Sequence, residues 1–430
     1  MTSSTVADSG AAGPSTGDGP GRRSIGRAVI DAVTTANSWM VTILAILLAF
    51  VVGGVIIVLS DPGVLRRFEY FFSRPSDALE AVWESVSGAY SALLRGSILD
   101  PEDLREAIAG EEPWTEVFEP LSETLTYATP LILMGLAVAL AFRAGMFNIG
   151  VEGQAVLGAL TAALAGFGLS LPAGLHLVVA LLAGIAGGAL WGLIPGWLKA
   201  RTGAHEVITT IMLNYIAGSL LLYLINLDGI HHPERNDAIS KPVYDTALLP
   251  RLAGDQLRLN LGILIALLAA GGVAWLLQRS TIGFEFRAVG SNPDAARTAG
   301  MSVGKTYVLV MAFAGGLAGL GGASVLLGIA TSSALTPAII GGIGFDGITV
   351  ALLGRARPWG VVLAGLLFGA LRAGAPGMQA VADVPVQMVT ILQALIVMFI
   401  AAPAFVKEVF RLRQSRAGAL GQTLAKGWNG

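Results

Sequence analysis

At 430 residues the chain is long enough for about three soluble domains, yet 54% of it is hydrophobic, only 13% is charged, and its mean hydropathy is +0.70. Soluble domains carry about 25% charge, so a water-exposed globular surface is excluded and a bilayer is implied. The balance of 27 basic against 29 acidic residues leaves no basic excess to hold a nucleic-acid backbone, zero cysteines exclude disulfides, thiolate metal sites and a cysteine nucleophile, and four histidines are a poor basis for a metal centre.

In chain order, the first segment is polar: Gly, Ser, Thr and Pro dominate its first 27 residues and cannot bury enough apolar surface to fold, so residues 1–39 are expected to form a disordered cytoplasmic tail. The uncharged run over residues 40–60 follows Arg22, Arg23 and Arg27. It is long enough to cross a hydrocarbon core of about 30 Å and too long for a signal-peptide core, so it predicts a retained first span. Residues 61–120 hold thirteen acids against five arginines, with Phe68, Tyr70, Phe71, Phe72, Trp83, Tyr90 and Trp114 among them. This pattern is read as extracytoplasmic amphipathic helices lying on the membrane or capping its mouth, or else as a solvated loop with a small core.

The remaining core, 121–406, predicts nine apolar segments at roughly 125–142, 149–171, 175–198, 207–227, 259–277, 306–330, 335–353, 359–374 and 384–406. With the N-terminus inside, Arg143, Lys199 with Arg201, the loop 279–305, Arg355 with Arg357, and a basic tail over 407–430 all fall on the cytoplasmic side, as the positive-inside rule requires. The expectation is an all-α polytopic membrane protein of about ten transmembrane helices, with both ends cytoplasmic. The segments holding Glu152 and Asp346 are weak enough to be broken or re-entrant.

Those two segments also repeat. IGVEGQAV from Ile149 and IGFDGITV from Ile343 share Ile, Gly, an acid, Gly and a closing Val at equal offsets. They stand third and eighth among ten spans, which predicts two inverted five-helix halves built around interrupted helices. An acid inside an apolar segment is costly. Glu152 and Asp346 therefore have two readings: a carboxylate that caps a broken helix end, or one that meets a transported solute.

The longest inside loop contains a short helix with its stops written in. Asn292 can cap it, Pro293 suits the first turn, Asp294 faces the positive end of the dipole, and Gly300 ends it. Ala295, Ala296 and Ala299 allow a partner surface to come close. The following VGKT, from Val303, lacks the glycine a phosphate-binding loop needs five residues before Gly304, where Ala299 stands, and has no strand before it. No ATP site in this chain is expected.

DAARTAG, from Asp294 to Gly300, resembles the coupling segment of ATP-binding-cassette importer membrane subunits: an acid, two alanines, three residues and a glycine, with Asp294 where Glu is usual. The strings from Glu123 to Gln154, Gly203 to Gly218 and Arg287 to Ser302 resemble permeases of the branched-chain amino acid and ribose type, nearest to the nucleoside and simple-sugar subgroup. The likeness covers roughly Leu121 to Ala404. It implies that the coupling loop 283–305, through Gly290, Asn292, Pro293, Asp294, Ala295, Ala296, Arg297 and Gly300, engages an ATPase subunit that holds the ATP and magnesium, with no cofactor on this chain. It further implies a second homologous permease, an extracytoplasmic substrate-binding lipoprotein, and the plasma membrane of a bacterium.

A nucleoside asks for hydroxyl and amide partners and for flat apolar faces. Asn148, Gln154, Thr210 and Asn214 supply the first and Phe147, Tyr215 and Phe345 the second, with the acids Glu152 and Asp346 placed on the same substrate path. Hydrogen bonding between helices accounts for the same polar groups equally well. Gln387, Thr390 and Gln393 form a polar stripe that helix packing explains. The rival functional class is an ion-driven secondary transporter, which would use Glu152 or Asp346 as a relay and dispense with an ATPase.

Overall fold

A computed structural model describes residues 38–411. The tails expected over 1–39 and 407–430 lie outside the described residues except at their inner ends. Residues 46–401 form one compact unit; the described residues outside it are the first turns of α1 and the stretch 402–411, which holds the short helix α16 (Pro403–Val409).

Helix follows helix because long apolar runs in lipid must satisfy their own backbone groups. Eight helices among the described residues are long and apolar enough to span: α1 (Ser38–Ser60), α5 (Trp114–Arg143), α6 (Val151–Gly168), α7 (Leu175–Thr202), α8 (Glu206–Ile225), α9 (Gly262–Arg279), α12 (Val303–Ser324, prolonged by a π turn Val325–Ile329) and α14 (Pro358–Ala382). A ninth is reached if α15 (Gln387–Ala401) and α16 are counted as one broken span. Of the ten or so spans expected, with the segments of Glu152 and Asp346 weak enough to be broken, eight or nine are counted among the described residues. The segment expected at 335–353 is helical only in α13 (Ile343–Leu353), whose 11 residues reach about 16 Å, half a hydrocarbon core. Gly341 and Gly342, at φ 56° and 87°, hold the backbone out of the right-handed helix just before it. The segment expected at 384–406 stops at Ala401 because Pro403 cannot continue it.

The acidic stretch is helical too. α2 (Pro62–Phe68), α3 (Pro75–Arg95) and α4 (Pro101–Ala109) each begin at a proline, and Asp61 and Asp100 cap α2 and α4 through Gly63 N at 2.8 Å and Glu102 N at 2.9 Å. α3 turns Ala78, Ala81, Ala89, Ala92 and Leu93 inward. It lies directly on α14, where a Cβ on Gly374 would overlap the Leu93 carbonyl. Tyr90 donates to Phe50 O at 2.6 Å and Thr124 to Ser97 O at 2.5 Å, so this stretch is fastened to α1 and α5. Leu79 and Trp83 remain exposed on its outer side. α5 starts inside the same stretch, and the boundary expected at residue 121 falls within a helix of 30 residues.

The spanning elements pair reciprocally. Taking α1, α5, α6, α7 and α8 as one half and α9, α12, α13, α14 and α15 as the other, α5 packs on α13 and α14, while α12 packs on α6 and α7. Second elements meet third and fourth elements of the opposite half in both directions, the reciprocity two repeated halves produce. Glycines make the closest of these contacts: a Cβ on Gly188 would overlap Gly315 O, and one on Gly319 would overlap Gly184 O.

Candidate functional site: the two broken helix starts

The chain leaves α5 through a turn at Gly145, φ 71°, and runs irregularly to α6. Side-chain amides hold this stretch. Asn148 and Gln154 exchange two hydrogen bonds, Nδ2 to Oε1 at 2.9 Å and Nε2 to Oδ1 at 3.1 Å, and Asn148 Oδ1 also accepts from Gly150 N at 3.2 Å. From α8, Asn214 donates to Ile149 O at 2.9 Å and accepts from Gly153 N at 2.9 Å, replacing the intrahelical partners a helix start lacks. Thr210 donates back to Glu206 O at 2.7 Å and packs on Gly150, where a Cβ would sit 3.0 Å from Thr210 Cβ.

Glu152 points the other way, into the second half. Its carboxylate accepts from Gly342 N at 2.9 Å and Gly344 N at 2.8 Å, the start of α13. A negative group there meets both free amides and the positive end of the helix dipole. Contact is close enough that a Cβ on Gly344 would lie 2.5 Å from Glu152 Cα. Asp346, one turn along α13, instead meets Arg372 of α14, Nη2 to Oδ2 at 2.5 Å, with both side chains about three-quarters buried.

The structure therefore brings Asn148, Glu152, Gln154, Thr210, Asn214 and Asp346 to one junction where α6, α8, α13 and α14 meet. Asn148, Gln154 and Thr210 are fully enclosed and bonded within the chain, whereas Phe147, Tyr215 and Phe345 are exposed. The capping reading of Glu152 is the geometry observed. Arg372 was not among the sequence candidates. It is the one charged residue in the segment 359–374, and an intramembrane cation demands a partner, so the signal existed.

The cytoplasmic loop forms two helices, α10 (Thr281–Ser291) and α11 (Pro293–Thr298). Asn292 caps α11 by accepting from Asp294 N and Ala295 N, both at 3.0 Å, Pro293 opens it, and Gly300 at φ 85° follows it. Arg297 pairs with Asp294 at 2.9 Å on the open face. Ala295 is exposed, but Ala296 is buried against Val289 and Val303, so it faces the chain itself and not an outside groove. Gly290 touches the end of α5: a Cβ there would overlap Arg143 O, and one on Gly145 would lie 3.2 Å from Gly290 Cα. The short loop thus abuts the turn that leads to Phe147 and Asn148.

A polytopic helical bundle with paired halves, broken helix starts at its centre and a capped cytoplasmic helix on its surface is a membrane transport subunit in design. Residues 121–401 match the family described as branched-chain amino acid transport system, permease component, and the chain belongs to that family. The guanosine ABC transporter permease protein NupP of Bacillus subtilis is 43% identical over 325 residues, covering 76% of this chain and 88% of that protein. The nucleoside ABC transporter permease protein NupB of Lactococcus lactis is 38% identical, covering 71% and 85%. The glucose ABC transporter permease protein TsgB13 of Haloferax volcanii is also 38% identical, covering 67% and 77%. No solved structure matches.

Proposed function

We propose that this chain is the membrane subunit of an ATP-binding-cassette importer that carries a nucleoside, or a related sugar, into a bacterial cell across the plasma membrane, with both termini in the cytoplasm. A separate ATPase subunit binds ATP and magnesium, a second homologous permease completes the path, and an extracytoplasmic lipoprotein delivers the solute. The relatives named for guanosine, nucleoside and glucose transport support the substrate class.

The observation that carries the reading is the seat of Gly290 on the Arg143–Gly145 turn. A push on the exposed face of α11, through Pro293, Asp294, Ala295, Arg297 and Gly300, passes along α10 into the backbone just ahead of Phe147. Ala296 serves as the inner anchor of that lever. The exposed rings of Phe147, Tyr215 and Phe345 offer stacking faces to a base or sugar, while the enclosed amides keep the two helix starts in register. Glu152 and Asp346 set the spacing between the halves at the solute's level.

Uptake of labelled guanosine by cells carrying the partner subunits, with unlabelled nucleosides and sugars as competitors, tests the proposal. Competition by nucleosides is expected. Gly300→Trp is expected to abolish uptake with the protein still inserted. Uptake that persists without the ATPase would overturn the reading in favour of ion-driven transport. Because the chain contains no cysteine, single cysteines at the exposed Ser76 and Ser291 should label from opposite sides of the membrane; same-side labelling would break the topology.

A further inference from the structure

Where α7 ends and α12 begins lies a groove of about 370 Å³ lined by Trp197, Ala200, Arg201, Gly304, Lys305 and Val308, with Leu309 behind them. Its chemistry is divided. Trp197 is 52% exposed and, with Val308 and Leu309, forms an apolar wall on the lipid-facing surface of two spanning helices. At the membrane boundary the wall ends in Arg201 and Lys305, both exposed, and the side chain of neither makes a hydrogen bond or ion pair among the described residues. The neighbouring Lys199 differs, being engaged by Glu206 at 2.5 Å and by the ring of Tyr307. α12 starts here, with Ser302 capping Lys305 N at 3.4 Å, and its first turn adds a positive end to the two cations.

We propose that this groove binds an anionic phospholipid. The headgroup phosphodiester lies between Arg201 and Lys305, and an acyl chain runs along Trp197, Val308 and Leu309. Two unpaired cations with no acid in the lining complement a monoanion, and basic recesses between helices at a membrane boundary are suited to acidic headgroups. A tryptophan at headgroup level is the usual interfacial anchor. A free phosphate would use the cations but leave the apolar wall bare, which favours a lipid. On the orientation proposed above the site faces the inner leaflet. Its position is pointed: Val303 and Tyr307, on the first turns of α12, pack on Ala296 of the coupling segment, so the bound lipid sits beside the lever. The GKT run at Gly304 thereby has a use unrelated to nucleotide.

The test is native mass spectrometry of the full chain assembled with its partner subunits, titrated with phosphatidylglycerol and phosphatidylcholine of identical acyl chains. Phosphatidylglycerol is expected to be retained roughly tenfold to thirtyfold more tightly, from two basic groups near an acidic headgroup. R201Q/K305Q is expected to remove the preference while leaving phosphatidylcholine retention unchanged, and R201K/K305R to keep it. An unaltered elution profile and Tm for R201Q/K305Q show that the loss is not misfolding; the wild-type preference alone decides if that variant does not assemble. Equal retention of the two lipids by wild type, or an unchanged preference in R201Q/K305Q, would overturn the proposal. Displacement of the lipid by millimolar inorganic phosphate would reassign the groove to free anions. Crosslinking of the K305C variant to the ATPase would reassign it to a protein contact. Each outcome is independent of which solute the importer carries.

Discussion

The two acid-centred repeats start from nearly the same letters and end in different chemistry. Gly150 and Gly344 are equivalent, and so are Glu152 and Asp346, but the first copy secures its own start with amides from Asn148 and Asn214, and spends its acid on the second copy. The second copy has glycine at position 342 where the first has Asn148, so it lacks a local cap and borrows Glu152. Asp346, one methylene shorter, goes to Arg372 instead of returning the favour. The lesson is that the two copies share where backbone groups are left open and not which side chain closes them. The half with the poorer cap depends on the other half.

This contrast can be attacked in order of expected effect. Arg372→Met leaves Asp346 buried without a cation and should cost about 3–5 kcal/mol, read as a large drop in Tm in detergent and loss of uptake; D346N/R372M should recover much of the Tm, and if it does not the pair is not what holds α13 to α14. Glu152→Ala orphans two amides of α13 and should cost about 2–3 kcal/mol, whereas Glu152→Gln, which retains one acceptor, should lose less. If Ala and Gln behave alike, the cap is not what holds the second copy. Asn148→Ala should cost about 1–2 kcal/mol by stranding Gln154, and N148A/Q154L less than the single change, because the first copy keeps Asn214. Last, Asp294→Ala, outside both repeats, removes only an exposed pair three residues apart and should change stability by less than about 0.5 kcal/mol. A loss of uptake without a loss of Tm in that variant would place its effect at the ATPase contact.

The legible and illegible parts of this molecule divide along the same physical line. Spans such as α1, α7 and α12 are written locally as apolar length, and α11 is written as a cap, a proline, an acid and a terminal glycine, so both could be read residue by residue. The repeat was visible because glycine and acid recur at fixed offsets. What hydropathy could not show is where amides and carboxylates go: Glu152 meets a helix start 190 residues away, and Arg372 meets Asp346 across 26. That the Asp346 segment is broken was legible from its weakness, but where α13 starts was not, since apolar residues 335–342 contribute to a hydropathy average without being helical. In the acidic stretch the aromatic and charged residues left the choice open between helices and loop, and the alanine face of α3 against Gly374 decides it.

The glycine contacts between α7 and α12 have a consequence for how the molecule is made. Gly184, Gly188 and Gly192 recur every fourth residue, and their places are taken up by Gly315 and Gly319 and by the backbone of Met311, more than a hundred positions downstream. During synthesis α7 is therefore inserted long before the surface it fits exists, and a chain stopped after α8 would present an unfilled furrow to the lipid. Such a fragment is half a sequence without being half a protein, because the surface its glycines fit lies in the other half.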